Sequence, residues 1–387
     1  MCDRSDDALS LTDFLEGLEA YVNADTPSCD KVALDAVSEK LAQEFRNLGC
    51  RVLVHERAGG NILECSIGRG PRQILLLGHM DTVFPRGTAA ERPFKRANGK
   101  LTGPGVLDMK SGVLMIFEIL RFFSSGIPDG WRLCAILNAD EEVGSKESEH
   151  LIRERAKSSV ACVCLEPSKP DYCTVARKGI LSFRLNTTGV EAHSGVNYAM
   201  GHNAIRAICG IVGQLYRLCD EEKGISVNIG GISGGSGNGN IVAGSASVLG
   251  EVRFYHKEDY EPIIKFIRNA CADTDDPKVT GKVEFLSYRP PMAQTKQSAG
   301  LYDIALRAAQ RNGLTLKPRT HGGGSDGAFA ADVGIPVIDG MGAEGEFSHT
   351  EEEYVKEDSL VPRLKMCIDL IQSLFHEMQK KGEQRHE

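Results

Sequence analysis

Apolar and polar positions alternate along this chain with two different periods. Leu11, Phe14, Leu15, Leu18 and Tyr21 recur every three or four residues, which is one face of a helix. After the breaker Asp25-Thr26-Pro27-Ser28, a second helical run is predicted over 32–48, with Gly49 as its C-terminal cap. Residues 51–55 and 61–65 read as strands around Ala58-Gly59-Gly60, and 73–78 as a buried strand. A loop rich in Arg, Gly and Pro (85–98) precedes a strong helix pattern over 113–123. Two further apolar strands follow at 131–138 and 160–165. Strands interleaved with helices predict an α/β fold whose mostly parallel, mixed sheet is flanked by helices.

Near Lys178 the rhythm changes. Strand 179–188, helix 203–219, strands 226–232 and 247–255, helix 259–272 and strand 282–288 spell βαββαβ, the succession of a ferredoxin-like α+β unit. The expected organisation is therefore a first catalytic part at 1–177, an inserted domain at 178–290 and a second catalytic part at 291–387. Residues 230–239 are rich in Gly and Ser and are expected to be a flexible connection. The chain then returns to helix 301–311, a glycine-rich loop at 321–327, strand 335–338 and a last helix at 360–378.

Candidate chemistry collects where the apolar runs end. His79 and Asp81 follow strand 73–78 two residues apart, hence on one face, where the imidazole suits a metal and the carboxylate can steady it. Asp108 is expected at a helix start, either as an anion favoured by the dipole or simply as an N-cap. Asp140-Glu141-Glu142 closes strand 131–138. Three adjacent acids repel one another unless a cation compensates or the loop is solvated. Glu166 ends strand 160–165, and His349 lies in a glycine-rich loop. Sites in largely parallel sheets gather at the carboxyl ends of the strands, so His79, Asp108, Glu142, Glu166 and His349 form one candidate metal-ligand set.

Composition narrows the field. A chain of 387 residues has room for roughly two to three domains. Its net charge of −8 disfavours nucleic acid and anionic membranes as partners, and no uncharged apolar run is long enough to span a bilayer. Met1-Cys2-Asp3-Arg4-Ser5-Asp6-Asp7 is acidic and is not expected to be a secretory signal. The twelve cysteines are scattered, several in apolar runs (Cys134, Cys162, Cys164, Cys209), and are expected to be reduced core thiols of a cytoplasmic protein. Cys162 and Cys164 lack the second pair that a zinc site would need.

The segments GHMDTV, GPGVLDMKSG, NADEEVGS, LEP, EAHSG, GNIVAGSA, GGGSDGAF and SHTEEEYV occur in that order over nearly the whole chain. In this the sequence resembles the zinc-dependent amidohydrolases that include glutamate carboxypeptidase, aminoacylase, acetylornithine deacetylase and succinyl-diaminopimelate desuccinylase. Its C-terminal segments look most like glutamate carboxypeptidase. The resemblance implies a zinc-exopeptidase-like fold and two Zn²⁺ ions, with Co²⁺ or Mn²⁺ as substitutes. Asp108 would bridge them, one ion also held by His79 and Glu166, the other by Glu142 and His349. It further implies Glu141 as general base, Asp81 as partner of His79, and a cis peptide bond after Asp108. The insert would be a lid and dimerisation domain whose His193 reaches the substrate carbonyl across a homodimer interface. Arg253 would hold a substrate carboxylate, with Asn240 a nearby polar contact.

The implied activity is release of a C-terminal amino acid from a peptide or small-molecule conjugate bearing a free carboxylate, or else deacylation of an N-acyl amino acid. A catalytically silent binding protein of the same fold is the reading from another class, and the complete set of ligands and base argues against it. A metallo-phosphoesterase is disfavoured by the lack of a phosphate loop. The segment at Asn240 lacks the proline usual at its end, His321 has no assigned role, and Lys178 reads as a surface lysine.

Overall fold

The computed structural model describes residues 10–383, with side chains to residue 377; the acidic stretch Met1 to Asp7 lies outside the described residues. The chain divides into two compact units. One comprises the described residues within Met1–Ala176, Gln294–His321 and Ser325–Glu387; the other is Arg177–Ala293 with Gly322–Gly324.

Six strands of the first unit pair in the order Arg51–His55, Ile62–Gly68, Trp131–Asn138, Arg72–His79, Ser159–Cys164 and Val337–Ile338. The first two ladders are antiparallel and the remaining three parallel, so the sheet is mixed. The central strands are apolar nearly throughout because both their faces are covered. Helices Leu11–Val22 and Lys31–Asn47 begin where Ser10 and Asp30 accept main-chain N–H groups, and the second stops before Gly49 in the left-handed conformation, φ 83°. Trp131 and Phe123 pack on Phe375 of the helix Leu360–Glu383, with ring centroids 4.9 and 5.6 Å apart. The C-terminal helix thereby joins the core built by the first half of the chain.

Register delivers the candidate site. His79 pairs with Asn138 and Leu77 with Cys164 on the parallel strands either side. The residues that follow all three strands therefore leave the sheet at one edge, the usual place for a site in this architecture.

The second unit is a four-stranded antiparallel sheet, ordered Ser226–Gly234, Ser245–Phe254, Gly179–Thr188 and Thr280–Arg289. Helices Ala204–Leu215 and Tyr260–Ala272 share with it a separate core that includes Leu181, Phe183, Ile208, Val248 and Ile267. Two sequence expectations are corrected here. Gly230 to Gly234 is strand rather than flexible connection, paired as far as Gly234 opposite Ala246 with a register shift between Ile229 and Gly231. A Cβ on Gly234 would stand 2.8 Å from that of Ala246, so glycine is what lets the two chains close. Cys209 is exposed on its helix instead of lying in the core. Among the described residues no helix is long and apolar enough to cross a membrane.

Candidate metal centre

Five side chains from five places in the first unit converge. His79 Nδ1 hydrogen-bonds the main-chain oxygen of Asp81 at 2.9 Å, which leaves Nε2 of the neutral ring as the atom with a lone pair to give. That Nε2 lies 3.3 Å from Asp108 Oδ1 and 3.8 Å from Glu166 Oε1. His349 Nε2 lies 3.3 Å from Asp108 Oδ2 and 3.2 Å from Glu142 Oε1. Asp108 thus faces one imidazole with each oxygen, and each imidazole has a second carboxylate of its own.

Asp108 does not cap a helix, contrary to that reading of the sequence. Regular helix starts only at Ser111. Asp108 sits before it in a kinked turn with φ −114° and ψ 95°, and its bond to Met109 is cis. The main-chain N–H groups of Leu107 and Asp108 both donate to Glu353 Oε1, at 2.7 and 3.0 Å. With its own amide so fixed, Asp108 turns its carboxylate to the two imidazoles. Lys110, almost fully buried, donates to the carbonyl of Ala24 at 2.8 Å and ties the same turn to the end of the first helix.

Asp81 is close to His79 but does more elsewhere than expected of it. Its Oδ1 is 3.4 Å from His79 Nδ1, while its two oxygens accept the N–H groups of Glu141 and Glu142 at 3.1 and 3.2 Å and the hydroxyl of Ser28 at 2.7 Å. The bend that sends Glu141 and Glu142 different ways is therefore seated on Asp81. Its far side is held by Asp326, which accepts from Ser145 Oγ and Asn138 Nδ2, both at 2.5 Å.

Charge is concentrated here, with His79 and Glu166 buried and the side chain of His349 half-exposed. Burial opposes charging of His79, yet hydrogen bonds to Asp108 and Asp81 carry its pKa well above the usual imidazole value. Hydrogen bonds to Asp108 and Glu142 push His349 up to about 10. Burial would raise Asp108, but the two imidazoles hold it well below the carboxylate range. Burial, reinforced by the charge of Asp108, pushes Glu166 well up; burial also raises Glu142, against the hydrogen bond from His349. Glu141 borders the cluster, its charge acting on both Glu142 and Glu166.

Such a donor set calls for positive charge at its centre. Candidate ligand atoms of His79, Asp108 and Glu142 all lie within 4.8 Å of one another. Glu142 Oε1 is buried with His349 Nε2 3.2 Å away, a pair whose geometry leaves the oxygen short of a full hydrogen bond. Imidazole nitrogen with carboxylate oxygen is the ligand chemistry of zinc in hydrolytic sites, and these residues fit it.

His193, Asn240 and Arg253 belong to the second unit. His193 pairs with Ile241, and the carbonyl of Asn240 accepts from Ser194 at 2.8 Å, so the first two are neighbours. His193 Nδ1 accepts the N–H groups of Gly195 and Val196, leaving Nε2 as the protonated nitrogen of the neutral ring. Arg253 lies apart from them on the strand Ser245–Phe254, its guanidinium on Glu251 at 2.7 Å and on the carbonyl of Gly322 at 2.7 Å. Lys178 lies over the ring of Tyr255 at 4.8 Å.

Glu353 and Asp326 were not singled out from the sequence. Each lay within a recognised segment, SHTEEEYV or GGGSDGAF, but a carboxylate that binds main-chain N–H groups or hydroxyls has no signature in spacing.

Imidazoles and carboxylates gathered at the strand ends of a mixed α/β sheet define a metallohydrolase. Residues 75–373 match Peptidase family M20/M25/M40, and the chain belongs to this family of metal-dependent hydrolases. It is 31% identical over 370 residues to carboxypeptidase G2 of Pseudomonas sp. (strain RS-16), covering 93% of this chain and 89% of that protein. It is 27% identical over 359 residues to succinyl-diaminopimelate desuccinylase of Xylella fastidiosa (strain M12), covering 85% and 92%. In fold it is similar to the crystal structure of aminopeptidase PepT from Bacillus cereus ATCC 10987, with a TM-score of 0.78 at 23% identity over 95% of this chain and 99% of that one.

Proposed function

We propose that this hydrolase is a di-zinc enzyme that cleaves the amide bond to a C-terminal amino acid, with glutamate the expected product. The observation that carries the reading is the position of Asp108, one oxygen toward His79 and the other toward His349. In this reading two ions would be held here, one by Asp108 with His79 and Glu166, the other by Asp108 with Glu142 and His349. When bound, such ions supply Lewis acidity toward a carbonyl oxygen and toward water. Glu141, beside the cluster but not one of its ligands, takes the proton of the attacking water and passes it to the leaving nitrogen. His193 donates from Nε2 to the carbonyl oxygen as it gains charge. Arg253 receives the substrate carboxylate with the planar fork that now holds Glu251.

Deacylation of an N-acyl amino acid uses the same groups, and the likeness to a desuccinylase supports it equally. The two are separated by incubating the zinc-loaded protein with peptides, acyl-glutamates, N-acetyl amino acids and N-succinyl-diaminopimelate and following free amino acid by mass spectrometry. Turnover centred on acyl-glutamates establishes the carboxypeptidase, and turnover centred on acetylated or succinylated substrates the deacylase. Failure on all of them, with metal bound, overturns both. Glu141→Ala should retain metal while losing about 10²–10⁴-fold in kcat.

The second unit serves in this reading as the ferredoxin-like lid and dimerisation domain, with His193 acting on the substrate of the other copy. Support comes from its edge strand Ser226–Gly234 and from the exposed apolar side chains Val196, Tyr198, Met200, Ile232 and Leu249. Eight of the eleven described cysteines are buried, all eleven are free, and we place the protein in the reducing cytoplasm.

A further inference from the structure

The first unit has a second concave surface, at the end of the sheet where the parallel strands begin. It is a cleft of about 630 Å³, lined by Arg51, Ser66, Ile67, Gly68, Arg69 and Arg132. Arg132 is the second residue of the strand Trp131–Asn138, whose far end leads to Glu141 and Glu142. At roughly 3.3 Å per residue, the length of that strand separates the cleft from the metal centre by more than about 20 Å.

Strand register explains why the arginines meet. Arg51 pairs with Ser66 and Arg132 with Gly68, on opposite sides of the strand Ile62–Gly68. Ser66 and Gly68 are two residues apart and share a face of the sheet, so Arg51 and Arg132 share it too. Arg69 joins them from the turn that follows Gly68. Gly68 is left-handed, φ 79°, and a Cβ there would stand 2.4 Å from the carbonyl of Trp131, so the floor between the arginines is bare backbone.

The charge in the cleft is uncompensated. No acid lines it, and among the described residues the side chains of Arg51, Arg69 and Arg132 make no ion pair or hydrogen bond. Elsewhere in the unit Arg86, Arg96, Arg153, Arg155 and Arg311 each grip a carboxylate. Glu64, on the same sheet face one step beyond Ser66, is already taken by Arg155 and His55. Three like charges thus line one cleft with no carboxylate paired to them, on a chain whose net charge is −8.

We propose that this cleft binds a small molecule carrying two phosphate groups. The guanidinium fork matches phosphate oxygens. Two phosphates carry about −3 to −4 near neutral pH, which balances three arginines, whereas a single phosphate does not. The volume lies within the range of about 300–1,000 Å³ usual for small-molecule sites, with room for more than the charged groups alone.

The test is calorimetric titration of the zinc-loaded protein with inorganic pyrophosphate, ADP and citrate at low ionic strength. Wild type should bind pyrophosphate or ADP saturably, one per chain, with a Kd below about 1 mM. Arg51→Ser/Arg132→Ser, and separately Arg69→Ser, should weaken binding at least about tenfold while keeping the wild-type unfolding transition and hydrolytic activity. ADP binding more tightly than pyrophosphate identifies a nucleotide as the source; equal binding identifies the diphosphate alone. Absence of saturable binding overturns the proposal. So does binding that persists in both variants, which places the anion at the metal centre. Citrate binding as tightly as pyrophosphate overturns the assignment to phosphate.

Discussion

Asp81 holds Glu141 by the main chain: its Oδ1 accepts the Glu141 N–H at 3.1 Å, while the His79 ring hydrogen-bonds the main-chain oxygen of Asp81. The carboxylate therefore shapes the acidic turn, and the imidazole is oriented largely by the backbone. Asp81→Ala should lower metal affinity by about 10–100-fold, the usual cost of losing a group that orients ligands. Chelator competition measures this. Wild-type affinity in the variant would show that Glu142 keeps its place without Asp81.

Glu353 fixes the kinked turn before the helix Ser111–Ser124. Glu353→Ala strands two buried N–H groups, those of Leu107 and Asp108, and should cost about 2 kcal/mol or more in urea unfolding. Glu353→Gln retains an oxygen for them and should recover most of that loss. Equal destabilisation by both substitutions would refute the role.

The acid limb of the stability profile should report Glu64. Burial opposes its ionisation, but the hydrogen bonds from Arg155 and His55 win and lower its pKa below the ordinary 4.5. Its contribution is thus complete above that value and is lost as pH falls from there through the lower folded-state pKa. Glu64→Gln should destabilise by about 2 kcal/mol at pH 7, and the gap from wild type should close as both are unfolded at successively lower pH. A gap that stays constant down to pH 3 would contradict the assignment.

Gly342 is required for closeness, not for its backbone angle. A Cβ there would stand 2.2 Å from the carbonyl of Leu165, and the Gly342 N–H donates to the main-chain carbonyl of Glu166 at 2.9 Å. Gly342→Ala should push the two segments apart, cost about 1–3 kcal/mol as an overpacked site does, and lower kcat/KM by displacing Glu166. Thermal unfolding alongside steady-state kinetics checks both effects.

The strands, helices and ligand cluster were legible in the sequence for one physical reason. A parallel strand buried on both faces is an unbroken apolar run, and polar residues at its end are conspicuous. His79, Glu142 and Glu166 all stand at such ends, while Asp108 stood out ahead of a helix pattern and His349 in a glycine-rich loop. What was not legible was support. Glu353 acts through one oxygen on two amides, Asp326 acts on a serine and an asparagine, and neither residue's neighbours in sequence reveal that. Gly230 to Gly234 misled because its composition suits a loop, whereas the close approach of Ala246 makes glycine a condition of pairing. Asp108 looked like a helix cap because helix does follow, but it begins at Ser111, three residues beyond Asp108.

The last strand of the six-stranded sheet, Val337–Ile338, pairs with Ser159–Cys164. Between Cys164 and Ile338 the ribosome must add 338 − 164 = 174 residues, roughly 10–35 s of synthesis at about 5–20 residues per second. Throughout that interval the outer side of the strand that carries Cys162 and Val163 has no neighbour, and its main-chain groups and apolar side chains are open to any passing chain. The insert Arg177–Ala293 makes up the larger part of that stretch and so lengthens the time before the C-terminal segment arrives to cover the edge.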